Sequence, residues 1–564
     1  MLSSDLHAYS RRQYRGARNG AEKILTMLRH DFSLHVGDTI LAINPGHDGA
    51  VVAIKDRKLL FSREAEHDSH PRHIPSSAGF LLNVMKAIDD IPAVIARSGW
   101  SNDDFLSYES PGLPYHGVSD DLVRLQRVKV LGQPTTLVES THERAHIFCS
   151  YGLSPFPEGE PFYALVWEGE IGAFYEVDEK MRIVRHGPIL SFPGYKYSFL
   201  YDLADPSTAE GKWRHDTAGK LMALAAFSKR SEPTEQEMAV INQIFRDVVP
   251  PITSKAPFKN TPYYNCGVMN PEFQNLVAMF SNALFDRFYT YAKQHLTLGL
   301  PLVISGGCGL NCEWNSRWRD SKLFADVFVP PVPNDCGIAI GTAIEAQYLL
   351  SGAAKVSWNV YSGDDFVWDS DSDNFVEADF DADGVIDLLL QDKVIAWVHG
   401  RTEIGPRALG NRSLIAAPFK RSMTERLNAI KQREWYRPIA PVCLEEDATR
   451  LFGMEGSSPH MLYFQQSCAP ELQAVMHVDG SARVQTVNAS QNRPLYRLLN
   501  AFKKRTGFGV LCNTSLNRQG KGFINRSSEL FAFTDERKID AAVVDSRLFV
   551  STGQAQDATA SVVS

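Results

Sequence analysis

Missing from the 564-residue chain is any window approaching 18 uncharged apolar residues, the length at which a helix can cross a bilayer. Missing too is a paired-cysteine signature. The eight cysteines (Cys149, Cys266, Cys308, Cys312, Cys336, Cys443, Cys468 and Cys512) lie scattered in apolar runs with no CxxC, which argues against a zinc ribbon or a disulfide framework and for a reducing compartment. Surplus positive charge is also absent: 58 Lys and Arg stand against 66 Asp and Glu, a net charge of −8, so nothing in the balance recommends a nucleic-acid or membrane-surface partner. The SRRQY run at 10–14 has paired arginines but no apolar segment after it, so the expected location is the cytoplasm.

What is present is an ordinary globular composition, 44% apolar and 22% charged. At about 150 residues per domain the length suggests three to four structural units. The acid excess is local. Residues 364–383 carry nine acidic side chains and no basic one, leaving the other 544 residues at +1. Calcium-like spacing at Asp369, Asp371 and Asp373, or at Asp379, Asp381 and Asp383, fails at the twelfth position, which is Phe380 or Leu390 rather than Glu. The stretch therefore reads as a solvated linker and the best domain boundary in the chain.

Strand periodicity begins at DTILAINPGHDGAVVAIKDRKLLFSREAE and returns in the same strand, tight turn, strand order at PFYALVWEGEIGAFYEVDEKMRIV, which suggests a duplicated architecture. Another strand-led unit opens at KVIAWVHG. The expected organisation is an extension at 1–37, a duplicated region at 38–360, the acidic linker at 361–383, a second α/β unit at 384–552 and a polar tail at 553–564.

Four features carry chemistry. His47 and Asp48 sit at the tip of NPGHDGA, a two-glycine loop between strands whose amides can turn toward an anion. In LVESTHERAHIFCSYG, Ser140 or Thr141 can cap a helix and Gly152 can end it, and His142 and His146 at i and i+4 then share one face within reach of one ion. Glu143 completes a literal HExxH, which invites a metalloprotease reading with Glu143 as base; Asp335, in a loop before a helix, is a candidate third ligand. SGGCGLNCEWNSRW follows an apolar strand and starts a helix, so Gly306, Gly307 and Asn311 are candidates for holding a nucleotide phosphate or sugar, with Lys220 of DTAGKLMALAAF at another helix start. The C-terminal unit is rich in loop cations: Arg401, Arg407 and Arg412, then Lys431, Arg433 and Arg437, then Arg483, with Asn513, Thr514 and Ser515 at a strand end. Guanidinium groups beside Gly, Pro and aromatic residues suit bidentate phosphate recognition.

GPRALGNRS, KQREWYRPIAP, HVDGSARVQTV and LCNTSLN, in that order, resemble the O-carbamoyltransferases of the nodulation-factor type, and the resemblance covers roughly residues 38–550. NPGHDGA and WEGEIGAF depart from the commoner family forms toward those of the cephem-modifying members. The resemblance implies an α/β protein with an N-terminal duplicated actin- and sugar-kinase-like domain and a C-terminal domain like threonylcarbamoyl-adenylate synthase. It implies that carbamoyl phosphate and ATP, with Mg²⁺, form carbamoyl adenylate in the C-terminal site, and that the carbamoyl group passes to a hydroxyl of a small-molecule natural product such as a hydroxymethyl-cephem. By the same resemblance Lys431, Arg483 and Ser515 act on carbamoyl phosphate and in adenylate formation, His47 acts on the acceptor, and His142, His146 and Asp335 are ligands of a divalent metal, Fe²⁺. Glu143 is then a bystander. A homodimer is compatible with this reading, with neither nucleic acid nor membrane as partner. A small-molecule kinase and a tRNA-threonylcarbamoylating enzyme are the competing readings.

Overall fold

The computed structural model describes residues 32–99, 115–187, 189–208, 217–250 and 254–551. Most of the expected N-terminal extension and the whole polar tail lie outside these residues. Among the described residues, no helix is long and apolar enough to cross a membrane.

The N-terminal half contains the expected duplication. The first sheet holds β1 (Thr39–Asn44), β2 (Ala50–Lys55), β3 (Lys58–Glu64), β4 (Val94–Ser98), β5 (Arg124–Val130) and β6 (Gln133–Ser140) in the order β3-β2-β1-β4-β6-β5. The second holds β7 (Phe162–Trp167), β8 (Gly172–Val177), β9 (Ile183–His186), β10 (Leu302–Ser305) and β11 (Val327–Phe328) in the order β11-β10-β7-β8-β9. Each begins with a three-stranded antiparallel meander whose first strand then pairs in parallel with a later one, β1 with β4 and β7 with β10.

Two helices, His142–Leu153 and Ile338–Ser351, share one core with both sheets, in which Ile147, Phe148, Ile340 and Ile344 pack against Val52, Ala96, Val166 and Val303. Their approach is unusually close. A Cβ on Gly341 would lie 1.8 Å from the Ala145 carbonyl oxygen, and one on Gly152 would lie 2.5 Å from Ile344 Cδ1. Gly152 therefore does not end its helix, which runs on through Leu153; it is the point at which the neighbouring side chain needs the space of a methyl group.

The C-terminal half is an eight-stranded mixed sheet of β12 (Phe375–Asp379), β13 (Ile395–Val398), β14 (Arg412–Ala416), β15 (Ala440–Leu444), β16 (Gln485–Val487), β17 (Val510–Ser515), β18 (Ala541–Val544) and β19 (Arg547–Ser551), ordered β12-β19-β18-β13-β14-β17-β15-β16. One face buries Met423, Leu427, Leu530 and Phe531 of the helices Arg421–Ile430 and Ser527–Arg537. The other buries Ile386, Leu389, Leu495 and Phe502 of Ala382–Leu390 and Arg493–Thr506.

The acidic stretch departs from the solvated linker expected of it. Phe375–Asp379 forms the edge strand β12 against β19, with Phe375 buried and the following residues exposed. Asp369 accepts hydrogen bonds from Ser528 N and from the Ser527 and Ser528 hydroxyls, at the start of the Ser527–Arg537 helix, and Asp381 caps the helix Ala382–Leu390. Carboxylates at helix N-termini are favourable, so the local acid excess is partly a capping device.

Candidate active site

Thr141 caps the helix His142–Leu153 by accepting from Arg144 N, which sets His142 and His146 one turn apart on the same face. Both imidazoles are buried, with their Nε2 atoms 3.1 Å apart. Between them lies a residue that spacing did not single out: Glu168, just past the end of β7, places Oε2 3.2 Å from each Nε2. Asp335 brings Oδ1 to 3.4 Å from His146 Nε2 and 3.8 Å from His142 Nε2. Ligand atoms of His142, His146, Glu168 and Asp335 all lie within 4.8 Å of one another. Two imidazole nitrogens turned on each other among two carboxylates form a donor set suited to a divalent transition metal.

The surrounding groups fix this arrangement. His146 Nδ1 faces Ser305 Oγ at 2.9 Å, leaving Nε2 to point inward. Tyr115 stacks on His142 at 4.0 Å and donates to Glu168 Oε1 at 2.9 Å. Burial pulls the His146 pKa down, but hydrogen bonds to Asp335 and Glu168 outweigh it and raise the pKa to about 9. Burial opposes the Glu168 charge, and the two histidines nonetheless hold its carboxyl well below the usual range.

Glu143 points away. Its carboxylate accepts from Gly117 N at 2.6 Å and from the Tyr175 hydroxyl, with Arg185 Nε at 3.3 Å. A carboxylate so engaged is not placed as the base of a metalloprotease.

The β1–β2 turn brings His47 to the same place. Its Nε2 is 3.5 Å from Asp335 Oδ2 and its Nδ1 3.3 Å from Asp48 Oδ2, while Asp48 Oδ1 meets His73 Nδ1 at 2.8 Å. Asn44 ties the loop down by donating to the Asp48 and Asp335 carbonyls. Gly49 is required here, since a Cβ would lie 2.3 Å from Ser76 N. Burial lowers the His47 pKa, yet the attraction of Asp335 and Asp48 raises it to about 9. His47, Asp48 and Asp335 form a second group of converging ligand atoms.

The glycine loop borders this cluster. Gly306 has φ +92°, and a Cβ there would stand 2.3 Å from the Trp167 carbonyl oxygen. Asn311 caps the helix Cys312–Asp320 through Glu313 N and Trp314 N, so its side-chain oxygen is already employed; Gly307 faces open space. Lys220 reaches across to Glu434 of the arginine loop at 2.9 Å.

The cations separate into two groups. Arg401 donates to the Gly363, Leu60 and Ser362 carbonyls, and Arg412 to the His399, Asn411 and Gly400 carbonyls and to Asn525 Oδ1. These two are structural, which corrects the expectation that they join an anion site: carbonyl and amide oxygens already occupy their forks.

Arg407, Lys431, Arg433, Arg437 and Arg483 lie near enough to act on one another's charge. Burial, then Arg433, Arg437 and Arg72, hold the Lys431 ammonium well below the ordinary lysine range. Burial, then mainly Arg483, brings Arg407 to about 9. For guanidinium groups such depression reflects burial first and mutual repulsion second rather than deprotonation. Lys431 donates to the Ser515 and Asn517 carbonyls at 2.6 Å and to Asn517 Oδ1, and Ser515 Oγ donates to Asn517 Oδ1 at 2.6 Å. Arg407 Nε, Arg483 Nε and Asn513 Oδ1 are buried without a protein hydrogen-bond partner. Thr514 lies on the same strand, β17, largely buried. Mutually repelling buried cations with unpartnered Nε donors suit a multiply charged anion.

Two family models match, the carbamoyltransferase N-terminus over residues 114–344 and the carbamoyltransferase C-terminus over 386–551. The 3'-hydroxymethylcephem-O-carbamoyltransferases of Amycolatopsis lactamdurans and Streptomyces clavuligerus are 45% and 43% identical to this chain; each alignment covers 90% of the chain and 98% of the relative. Nodulation protein U of Sinorhizobium fredii is 31% identical over 86% of this chain and 94% of its own. Among solved structures, the activator of the 2-hydroxyisocaproyl-CoA dehydratase from Clostridium difficile aligns with 55% of this chain and 93% of its own at 12% identity and a TM-score of 0.30. The chain belongs to the carbamoyltransferase family and is itself a carbamoyltransferase, an α/β enzyme with a duplicated N-terminal part and a C-terminal part on a separate sheet.

Proposed function

We propose that the chain is an ATP-dependent O-carbamoyltransferase acting on a small-molecule alcohol, a hydroxymethyl-cephem in the first instance, by analogy with the 3'-hydroxymethylcephem-O-carbamoyltransferases 45% and 43% identical to it. The observation that carries the two-step form of this reading is the pair of constellations, an anion site built from cations and an acidic site built around His47. In the C-terminal site, carbamoyl phosphate loses its phosphate to water, the carbamate oxygen attacks the α-phosphorus of ATP, and pyrophosphate leaves. Lys431, Arg407 and Arg483 offset the repulsion between two phosphate-bearing substrates, which grows when they leave water for a buried site. Arg433, Arg437, Asn513, Thr514 and Ser515 surround the same space, and Mg²⁺ accompanies the nucleotide. Gly306 and Gly307 remain the proposed nucleotide contacts of the N-terminal part.

In the acceptor site His47 Nε2 takes the proton of the attacking hydroxyl while Asp48 holds Nδ1, and AMP leaves as the carbamate ester forms. His142, His146, Glu168 and Asp335 would hold a divalent metal, Fe²⁺ in this reading, whose charge when bound polarises an oxygen and offsets the carboxylates that keep His47 protonated. The 361–383 stretch is taken to join two domains, and the enzyme is taken to work in the cytoplasm with neither nucleic acid nor membrane as partner.

The test is incubation with ATP, carbamoyl phosphate and a hydroxymethyl-cephem, following pyrophosphate and the product mass. Carbamoylated product with stoichiometric pyrophosphate supports the reading. Formation of ADP and a phosphorylated acceptor would replace it with a kinase.

A further inference from the structure

The anion site is not confined to the C-terminal sheet. Residues 66–73 of the N-terminal part dock backbone to backbone on the loop that follows Ser515. Pro71 pairs with Lys521, Arg72 N donates to the Gly520 carbonyl at 3.0 Å, Gly522 N to the His70 carbonyl at 3.0 Å, and Ser69 N to the Phe523 carbonyl at 3.1 Å. Position 522 has no room for a side chain: a Cβ on Gly522 would stand 2.0 Å from the Glu66 carbonyl oxygen. The receiving loop is the one that holds Lys431, because Asn517, which accepts from Lys431, donates to the Lys521 carbonyl at 2.6 Å. At its other end the 66–73 segment reaches Asp48 through His73.

We propose that Arg72 is an anion-binding residue of the carbamoyl-phosphate site, supplied by the N-terminal part, so that the site is complete only while 66–73 is docked. The inference rests on the adenylate-forming reading above. Three observations carry it. The ladder fixes the Arg72 backbone beside the Lys431 loop. Its ion pair with Glu66 is loose, with Nε 3.5 Å from Glu66 Oε1, in a side chain about 38% exposed. The positive charge of Arg72 depresses Lys431, Arg407 and Arg437 alike. Burial opposes the Arg72 charge, but Glu66, then Asp48, outweigh it and keep Arg72 charged beside these cations, and an anion bound among them would offset their repulsion.

Arg72→Ala, Arg72→Lys and Glu66→Gln separate the possibilities. Two readouts are used: the thermal shift produced by inorganic phosphate, and the KM for carbamoyl phosphate in acceptor-free pyrophosphate release. Arg72→Ala should raise that KM roughly ten- to a hundredfold, the effect of one charge-assisted hydrogen bond, and shrink the phosphate shift. Arg72→Lys should recover part of both, and Glu66→Gln should leave the KM within about twofold. Wild-type phosphate binding and KM in Arg72→Ala, or equal losses in Arg72→Ala and Glu66→Gln, would overturn the assignment, the second because it marks a merely structural ion pair. If the unmodified enzyme releases no pyrophosphate, the adenylate reading falls, and the phosphate shift still decides the role of Arg72.

Discussion

Glu143 and Glu168 invite a paired substitution, because one lies inside the HExxH and the other does not. In Glu143→Gln the side chain keeps its shape but exchanges an acceptor oxygen for a donor, so the bond from Gly117 N (2.6 Å) or that from Tyr175 is lost. Disturbing one such bond to a buried carboxylate costs about 1–3 kcal/mol of stability. The four metal-facing groups are untouched, so metal content and carbamoyl transfer should stay near those of the parent. Glu168→Gln removes an oxygen 3.2 Å from both His142 Nε2 and His146 Nε2 and leaves three donors. Metal affinity should fall at least 10–100-fold, about 1.4–2.7 kcal/mol. Metal retained against a graded chelator series, measured by elemental mass spectrometry, gives the affinity, and product formation in the same samples gives the activity. Loss of transfer in Glu143→Gln with its metal in place would refute the placement of Glu143 outside the chemistry. Full metal retention in Glu168→Gln would remove Glu168 from the cluster.

The remaining expectations use other readouts. Lys431→Ala should abolish pyrophosphate release even without acceptor, and normal release would end its assignment. His47→Asn should still release pyrophosphate while product formation falls by roughly 10²–10⁴; equal loss of both would mean that the loop, which touches the docked 66–73 segment through Asp48 and His73, serves the first step too. Gly341→Ala forces a methyl group against the Ala145 carbonyl oxygen, so it should cost about 1–3 kcal/mol and weaken metal retention together, since Ala145 lies between His142 and His146. Burial lowers the pKa of His67, but Glu64 and Asp364 raise it to about 9, above the unfolded value. Its contribution, at most on the order of 3 kcal/mol, should be complete below about pH 6.5 and be lost as the pH rises through 9. Burial also raises Glu64, which shares that proton and reduces the figure. Denaturant melts of His67→Gln should show a flatter profile over this window, and an unchanged profile would contradict the ion-pair account.

Local signals in the chain were enough for the duplicated strand pattern, the helix that starts at Thr141, and the one-turn spacing of His142 and His146, because side-chain period and capping depend on neighbours a few residues away. The C-terminal motifs likewise marked Arg401, Arg407, Arg412, Lys431, Arg433, Arg437 and Arg483 as candidate loop cations. Tertiary structure decided the rest. Glu168 enters the cluster because β7, the strand that follows the His142–Leu153 helix, ends beside its histidines, and no spacing rule links position 168 to positions 142 and 335. Arg401 and Arg412 look like their neighbours in sequence, yet folded carbonyls consume their donors. The acidic stretch lacks a strand's alternation, and β12 exists because β19 offers it an edge. His47 and Lys431 stand hundreds of residues apart, on opposite sides of that stretch, and the docking of 66–73 on the loop after Ser515 brings their surroundings together. Charge, hydrogen-bond supply and close approach are properties of distance in space, and distance along the chain sets them only where the backbone is regular.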